Sequence, residues 1–267
     1  MDLNDRSILL TGAGSGIGRA LALELARYSP RLALVGRRPG PLEEVAALVR
    51  EKGGEAVVIP ADLTAEGAPA QVVAAAREQL GGIDVLINNA GNVRAGRLEA
   101  IEESEVLAQI GLNLTAPILL TRAALPALRA SGEGAVVNVS SGLGLLGMAF
   151  YATYGAAKAG IAHFGEALRR ELHGEGVHVL NVFPGATDTP MMDSSDAQAQ
   201  HGFDRESPEE VARATVEGLV AGELTVVRGE SMVRMIAWNR EDPAAVDRTL
   251  AAGKDELEKV VADHSSL

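Results

Sequence analysis

The chain has 267 residues, 47% of them apolar, which is enough for a sizeable core in one α/β domain over residues 1–267. A net charge of −12 repels phosphate backbones and anionic lipid, so neither nucleic acid nor a membrane is an expected partner. With no cysteine and with five histidines that lack metal-ligand spacing, disulfides, thiol nucleophiles and a metal site are all excluded from expectation.

The chain opens with Asp2, Asp5 and Arg6 before a short apolar run, which is not the pattern of an export signal, and a cytoplasmic location is the default expectation. Short apolar runs then alternate with longer amphipathic segments, the pattern of parallel strands joined by crossover helices. This predicts a Rossmann-type doubly wound parallel sheet of about seven strands with helices on both faces, plus a helical C-terminal extension over residues 228–267.

The first strand is expected at Ser7–Thr11 and runs into Thr11-Gly12-Ala13-Gly14-Ser15-Gly16-Ile17-Gly18, where a helix begins; Pro30 lies beyond that helix. Such a strand–turn–helix unit lets backbone amides approach a pyrophosphate, with the helix dipole favouring its charge. The spacing Gly12, Gly16, Gly18 differs from the G-x-G-x-x-G fingerprint, and no Lys-Ser or Lys-Thr follows as a nucleotide-triphosphate loop requires. Taken alone, the turn is either a cofactor cradle or an ordinary glycine-rich connection.

The second strand, Arg31–Gly36, ends at Arg37 and Arg38, where a dinucleotide fold usually carries an acidic residue for the ribose 2′-hydroxyl. Two guanidinium groups suit a 2′-phosphate, which points to NADPH over NADH. A helix is expected to open at Pro41, a third strand at Ala56–Pro60, and then Asp62-Leu63-Thr64. There Asp62 either accepts from an adenine amino group or caps a helix.

The fourth strand, Val85–Asn88, leads to Asn89-Ala90-Gly91, with Arg94 and Arg97 as either rim cations or surface charge. A long helix near Ser104–Arg129 follows. Residues 134–157 carry no charge and are long enough to span a bilayer, but their polar residues and five glycines make them a strand at Ala135–Val139, a loop and a helix start. In that helix, near Ala152–His173, Tyr154 and Lys158 stand four apart on one face, and an ammonium beside a phenol favours the phenolate. Tyr151 has Gly155 at the equivalent spacing and is expected to line the pocket or to pack.

A strand at His178–Phe183 precedes Pro184-Gly185, and a polar segment at Met191–Glu206 reads as a flap. Ser207-Pro208-Glu209-Glu210 is a helix start with a capping box, and a last strand is expected at Leu224–Val227. Beyond Gly229, Asp242-Pro243 caps a last helix running toward Asp263. Met232, Met235, Ile236 and Trp238, with Val246, Leu250, Leu257 and Val261, are too apolar for a free tail, and the segment is expected to be ordered and to cover the substrate end or a subunit interface. Leu143, Leu145, Leu146, Met148 and Phe150, with Met191, Met192 and Phe203, suggest an apolar pocket or ordinary loop packing.

Thr11-Gly12-x-x-x-Gly16-x-Gly18, Asn88-Asn89-Ala90-Gly91, Asn113, Ser141, Tyr154-x-x-x-Lys158 and Pro184-Gly185 with Thr189, in this order, closely resemble the short-chain dehydrogenase/reductase family over about residues 5 to 228. The resemblance implies ketone–alcohol interconversion with a nicotinamide cofactor. Tyr154 would exchange the proton, Ser141 would bind the carbonyl oxygen, Lys158 would tune Tyr154 and hold the nicotinamide ribose, and Asn113 would hold a water. Ser141 is preferred to Ser140 because it stands thirteen residues before Tyr154, and strand alternation points the two apart.

The cofactor set so implied is Gly12, Ser15, Gly16, Ile17, Gly18, Arg37, Arg38, Asp62, Leu63, Asn89, Ala90, Gly91, Tyr154, Lys158, Pro184, Gly185, Thr187 and Thr189. Thr187 departs from the aliphatic residue common there, and the C-terminal extension departs from the usual ending. The partners expected are a small carbonyl or alcohol substrate and further copies of the chain, as homodimer or homotetramer. The rival readings are a 3-oxoacyl carrier-protein reductase, docking through Arg122, Arg129, Arg169 and Arg170, and a cofactor-sensing module without turnover.

Overall fold

In the computed structural model, which describes residues 1–196 and 204–267, the apolar runs form parallel strands β1 (Ser7–Thr11), β2 (Arg31–Gly36), β3 (Glu55–Pro60), β4 (Val85–Asn88), β5 (Gly134–Val139), β6 (Val177–Phe183) and β7 (Thr225–Val227). They lie in one sheet in the order β3-β2-β1-β4-β5-β6-β7. This is the expected doubly wound sheet. The order reverses between β1 and β4, which opens a crevice at the carboxyl ends of the strands.

Helices α1 (Gly16–Leu25), α2 (Pro39–Glu51) and α7 (Pro208–Ala221) cover one face, and α3 (Ala68–Leu80), α5 (Ala116–Ala130) and α6 (Ala152–Glu171) cover the other. Because both faces are covered, β1, β4 and β5 are buried throughout, and they read in the sequence as near-continuous rather than alternating apolar runs.

Two expectations need correction, at Pro41 and beyond Asp242, and a third needs a detail added. The second helix opens at Pro39 instead of Pro41, because Arg38, held extended before a proline, leaves Pro39 the first helical position. The long helix expected near Ser104–Arg129 is present as one continuous helix, Glu103–Ala130, whose α4 (Glu103–Ile110) and α5 join through a π-helical turn at Gly111–Thr115. The single last helix expected beyond Asp242 breaks at Gly253, so that α8 (Glu230–Glu241) is followed by α9 (Pro243–Ala252) and α10 (Lys254–Val261).

These last helices are packed down, as their composition requires: Met232, Ile236, Val246, Leu257 and Val261 are buried, while Trp238 lies outside the stripe and is 37% exposed. Of the flap, Met191 and Met192 lie within the described residues and Phe203 lies outside them.

A ladder of asparagines fixes the site's elements from below. Asn88, Asn138 and Asn181 stand at matching registers on β4, β5 and β6. Asn88 Nδ2 donates to Asn138 Oδ1 (3.0 Å) and to Thr121 on α5. Asn138 Nδ2 donates to Asn181 Oδ1 (3.2 Å), and Asn181 Nδ2 donates to the Ala162 carbonyl of α6 (2.8 Å). Gly165 permits this approach, since a Cβ there would meet Asn181 Oδ1 at 2.2 Å. Three buried amides thus find partners in one another and clamp α6 to the sheet.

Candidate active site

The crevice at the switch between β1 and β4 is one cleft with two ends. Both ends are lined by Gly12, Ser15, Ala90 and Gly91, so they are continuous. Gly12 and Gly16 take φ of +66° and +50°, where side chains are strained, and a Cβ on Gly18 would stand 2.0 Å from the Gly12 carbonyl oxygen. Only glycines close this turn. Asn89 ties it to β4: its Nδ2 donates to the Thr11 carbonyl (2.9 Å), while Thr11 Oγ1 accepts from the amides of Asn89 and Ala90.

At one end lie Arg37, Arg38, Asp62 and Leu63. Both arginines are exposed. Asp62 caps a turn, not the helix start: its Oδ1 accepts from the Thr64 hydroxyl (2.7 Å) and amide (2.9 Å). Those two bonds, with Arg37 nearby, hold its carboxyl below the usual range. At the other end lie Ser141, Tyr154, Lys158, Pro184, Gly185, Thr187 and Thr189, together with the cradle residues Ile17 and Asn89.

The two adjacent serines separate as alternation requires. Ser140 Oγ is buried and donates to the Lys158 carbonyl (2.7 Å), whereas Ser141 faces the cleft, accepts from the Leu143 amide (3.2 Å) and shares a side-chain hydrogen bond with Tyr154. Tyr154 is buried, and desolvation pushes its phenol up, with Ser141 opposing, so it is protonated near neutrality. Lys158 donates from Nζ to the Val139 carbonyl (3.0 Å) and lies 5.8 Å from the centre of the Tyr154 ring. Burial lowers its value to about 8. The phenol is thus raised and not lowered as the ammonium four residues on led one to expect, because burial is the larger cause acting on it.

Asn113 does not line the cleft surface. The π-helical turn carries it behind Gly91, where its Nδ2 donates to the Asn92 carbonyl (2.9 Å), the Asn92 side chain (2.8 Å) and the Gln109 carbonyl (2.9 Å). A Cβ on Gly91 would meet Asn113 Oδ1 at 2.7 Å and Lys158 Nζ at 3.4 Å, so Gly91 alone separates the amide from the amine.

Val93 and His264 line the cleft with no signal in the sequence, whereas Met232 belongs to the C-terminal apolar residues expected to pack. His264 and Met232 come from the C-terminal region and Val93 from beyond β4. Leu143, Met191 and Met192 line the cleft as expected of an apolar pocket, while Leu146 and Met148 pack in the core beneath it with Ile236 and Leu257. Arg94 and Arg97 are surface ion pairs, with Glu105 (3.1 Å) and Glu258 (2.5 Å). Among the described residues no cluster of metal-ligating side chains is present. His201 lies outside them.

Residues 6–200 match the family model described as short chain dehydrogenase. The chain is 32% identical over 253 residues to a protein named ketoacyl reductase HetN from Nostoc sp., covering 92% of this chain and 88% of the relative. It is 34% identical over 242 residues to 11-beta-hydroxysteroid dehydrogenase-like 4A of Arabidopsis thaliana, covering 88% and 80%. A crystal structure of a short chain dehydrogenase/reductase from Burkholderia phymatum in complex with NAD superposes with a TM-score of 0.84 at 23% identity, covering 91% of this chain and 95% of that one.

Proposed function

The chain belongs to the short-chain dehydrogenase/reductase family of oxidoreductases, and from that premise we propose that it interconverts an apolar ketone and a secondary alcohol with NADPH. The observation that carries the reading is the meeting of Ser141, Tyr154 and Lys158 in a cleft continuous with the glycine cradle, with the Lys158 amine 5.8 Å from the centre of the Tyr154 ring. The cradle fits a dinucleotide: its backbone leaves no room for a Cβ at Gly18, and the open ends of the turn stand at the start of α1.

Gly12, Ser15, Gly16, Ile17 and Gly18 hold the pyrophosphate, and Asp62 and Leu63 border the adenine. Asn89, Ala90 and Gly91 border the middle of the cofactor, and Pro184, Gly185, Thr187 and Thr189 hold the carboxamide end. Arg37 and Arg38 meet the 2′-phosphate. The bound nicotinamide supplies the hydride in reduction and accepts it in oxidation. Ser141 orients the carbonyl oxygen and Tyr154 gives that oxygen its proton, so the carbonyl gains a proton from the protein as it gains the hydride. Lys158, lying under the Tyr154 ring, then stabilises the phenolate left behind and donates to the ribose hydroxyls. Asn113 keeps the amine connected to solvent through water near Gly91.

The similarity to a protein named ketoacyl reductase favours a 3-oxoacyl compound as a second substrate reading. Against carrier docking at the proposed cations, Arg129 is engaged by Glu175 (2.6 Å) and Arg170 by Glu166. The α4–α5 run exposes Leu107 (62%) and Leu119 (39%), and this supports a homodimer or homotetramer. The test is a panel of ketones and alcohols with NADPH and NADH, run on the parent protein and on Arg37→Asp. The parent is expected to favour NADPH and Arg37→Asp to shift toward NADH; a parent that favours NADH removes the cofactor assignment.

A further inference from the structure

The end of the described chain crosses the substrate end of the cleft. Past α10, the backbone pairs antiparallel with the segment after β4: the Ala95 amide donates to the His264 carbonyl (2.9 Å), the Ser266 amide to the Val93 carbonyl (2.9 Å), and the Val93 amide to Ser266 Oγ (3.0 Å). Ser194 and Ser265 exchange a reciprocal pair of bonds at 3.0 Å. This pairing sinks His264 to 2% exposure at the cleft wall.

Donor and acceptor roles at His264 follow from its partners. Nε2 lies 2.9 Å from the Met191 carbonyl, which can only accept, so Nε2 carries the proton. Nδ1 of the neutral ring is then the acceptor, and the Tyr151 hydroxyl, 2.8 Å away, donates to it. Tyr151 in turn stands edge-on to Tyr154, with centroids 6.4 Å apart, and edge-on to His264 at 5.7 Å. Three rings in a row therefore form one wall, and both nitrogens of the imidazole are already satisfied. Among the described residues, Lys158 is the only other charged side chain lining the cleft at this end, and it faces Val139. The nearby cations are engaged elsewhere: Arg94 by Glu105, Arg205 by Asp188 (3.6 Å).

Resting on the reductase reading above, we propose that His264 is a specificity-determining residue which, held by the pairing of residues 264–266 with 93–95, props Tyr151 against Tyr154 as a hydrogen-bond-saturated wall. The pocket so closed takes uncharged apolar carbonyl compounds and refuses carboxylate- or phosphate-bearing ones. A carboxylate entering here would lose its water and, with the Ser141 and Tyr154 hydroxyls taken by the carbonyl oxygen, find no further donor or counter-charge at Tyr151 and His264, whose N–H and O–H are already used. His264 acts through Tyr151 and is a positioning residue.

The experiment compares a γ-keto acid with its ethyl ester, using kinetics with either cofactor and calorimetric binding, in the parent, His264→Ala, His264→Asn, Tyr151→Phe and the double variant His264→Ala with Tyr151→Phe. The parent is expected to prefer the ester by about 100-fold in kcat/KM, since an unpaired buried charge is costly. His264→Ala should raise KM for the ester about tenfold while moving cofactor Kd less than about twofold. His264→Asn, which keeps an acceptor at the Nδ1 position, should restore most of that loss, and the double variant should be no worse than the poorer single one, because both changes remove the same bond.

Equal use of acid and ester overturns the inference, as does an unchanged ester KM in a His264→Ala protein that melts like the parent. If His264→Ala fails to fold, Tyr151→Phe decides by the same KM criterion. Ester binding that is lost in the variants, without turnover in the parent, would sustain the wall and remove the reductase reading. Neither binding nor turnover of the ester would overturn both.

Discussion

At the glycine turn the cleft is walled chiefly by backbone, with Gly18 held against the Gly12 carbonyl and Gly12 against the Ala90 backbone; at the Tyr154 end it is walled by side chains. Those side chains come from segments far apart in the chain, Val93, Leu143, Met191, Met232 and His264 among them. A backbone wall cannot retreat without remaking a strand or helix start, so it fixes one ligand shape. A side-chain wall can repack, so it is where one fold accommodates many substrates.

The sharpest way to break this contrast is a single methyl group placed at each end. In Gly18→Ala the Cβ would lie 2.0 Å from a backbone oxygen, and we expect a loss of at least about 3 kcal/mol in stability with no measurable cofactor binding. In Gly142→Ala the Cβ would meet Met232 Cγ at 2.5 Å, a flexible side chain that can turn aside. That variant should lose about 1–2 kcal/mol, keep its cofactor Kd and change substrate KM. Chemical denaturation and calorimetry read both, and equal cofactor loss in the two variants would end the distinction.

Tyr154→Phe keeps the ring in the wall and removes the proton, so kcat should fall by about 10²–10⁴ with cofactor Kd nearly unchanged. Retention of most of kcat would remove Tyr154 from the chemistry.

A smaller effect concerns Lys158, whose folded value of about 8 lies below the ordinary 10.5 because it is buried. Between those two pH values the unfolded chain holds a proton that the folded chain has released. The stability of the cofactor-free protein therefore rises with pH across that window, and the cost of burying the ammonium is fully present below it. At 1.36 kcal/mol per unit, Lys158→Met should be more stable than the parent at neutral pH by up to about 3 kcal/mol, less the bond to Val139, and the gap should close as pH approaches 10.5. Urea titrations at neutral and alkaline pH check the sign.

Parallel strands covered on both faces must be apolar along their whole length, so β1, β2 and β4 could be placed to the residue from the sequence, and the sheet class followed from their alternation with helices. The glycine turn was legible for a related reason: a turn that tolerates only glycine leaves its trace in contiguous residues, 12 to 18, and a tyrosine and lysine four apart share a helix face whatever surrounds them. Element ends were less legible, because Arg38 before Pro39 and the widened turn at Gly111–Thr115 depend on a few degrees of backbone rotation that no periodicity records. The wall of Tyr151 and His264 at the Tyr154 end was decided by tertiary structure alone. His264 carries no pattern of its own, and only the pairing of residues 264–266 with 93–95 brings its imidazole within 2.8 Å of Tyr151, across more than a hundred residues of chain.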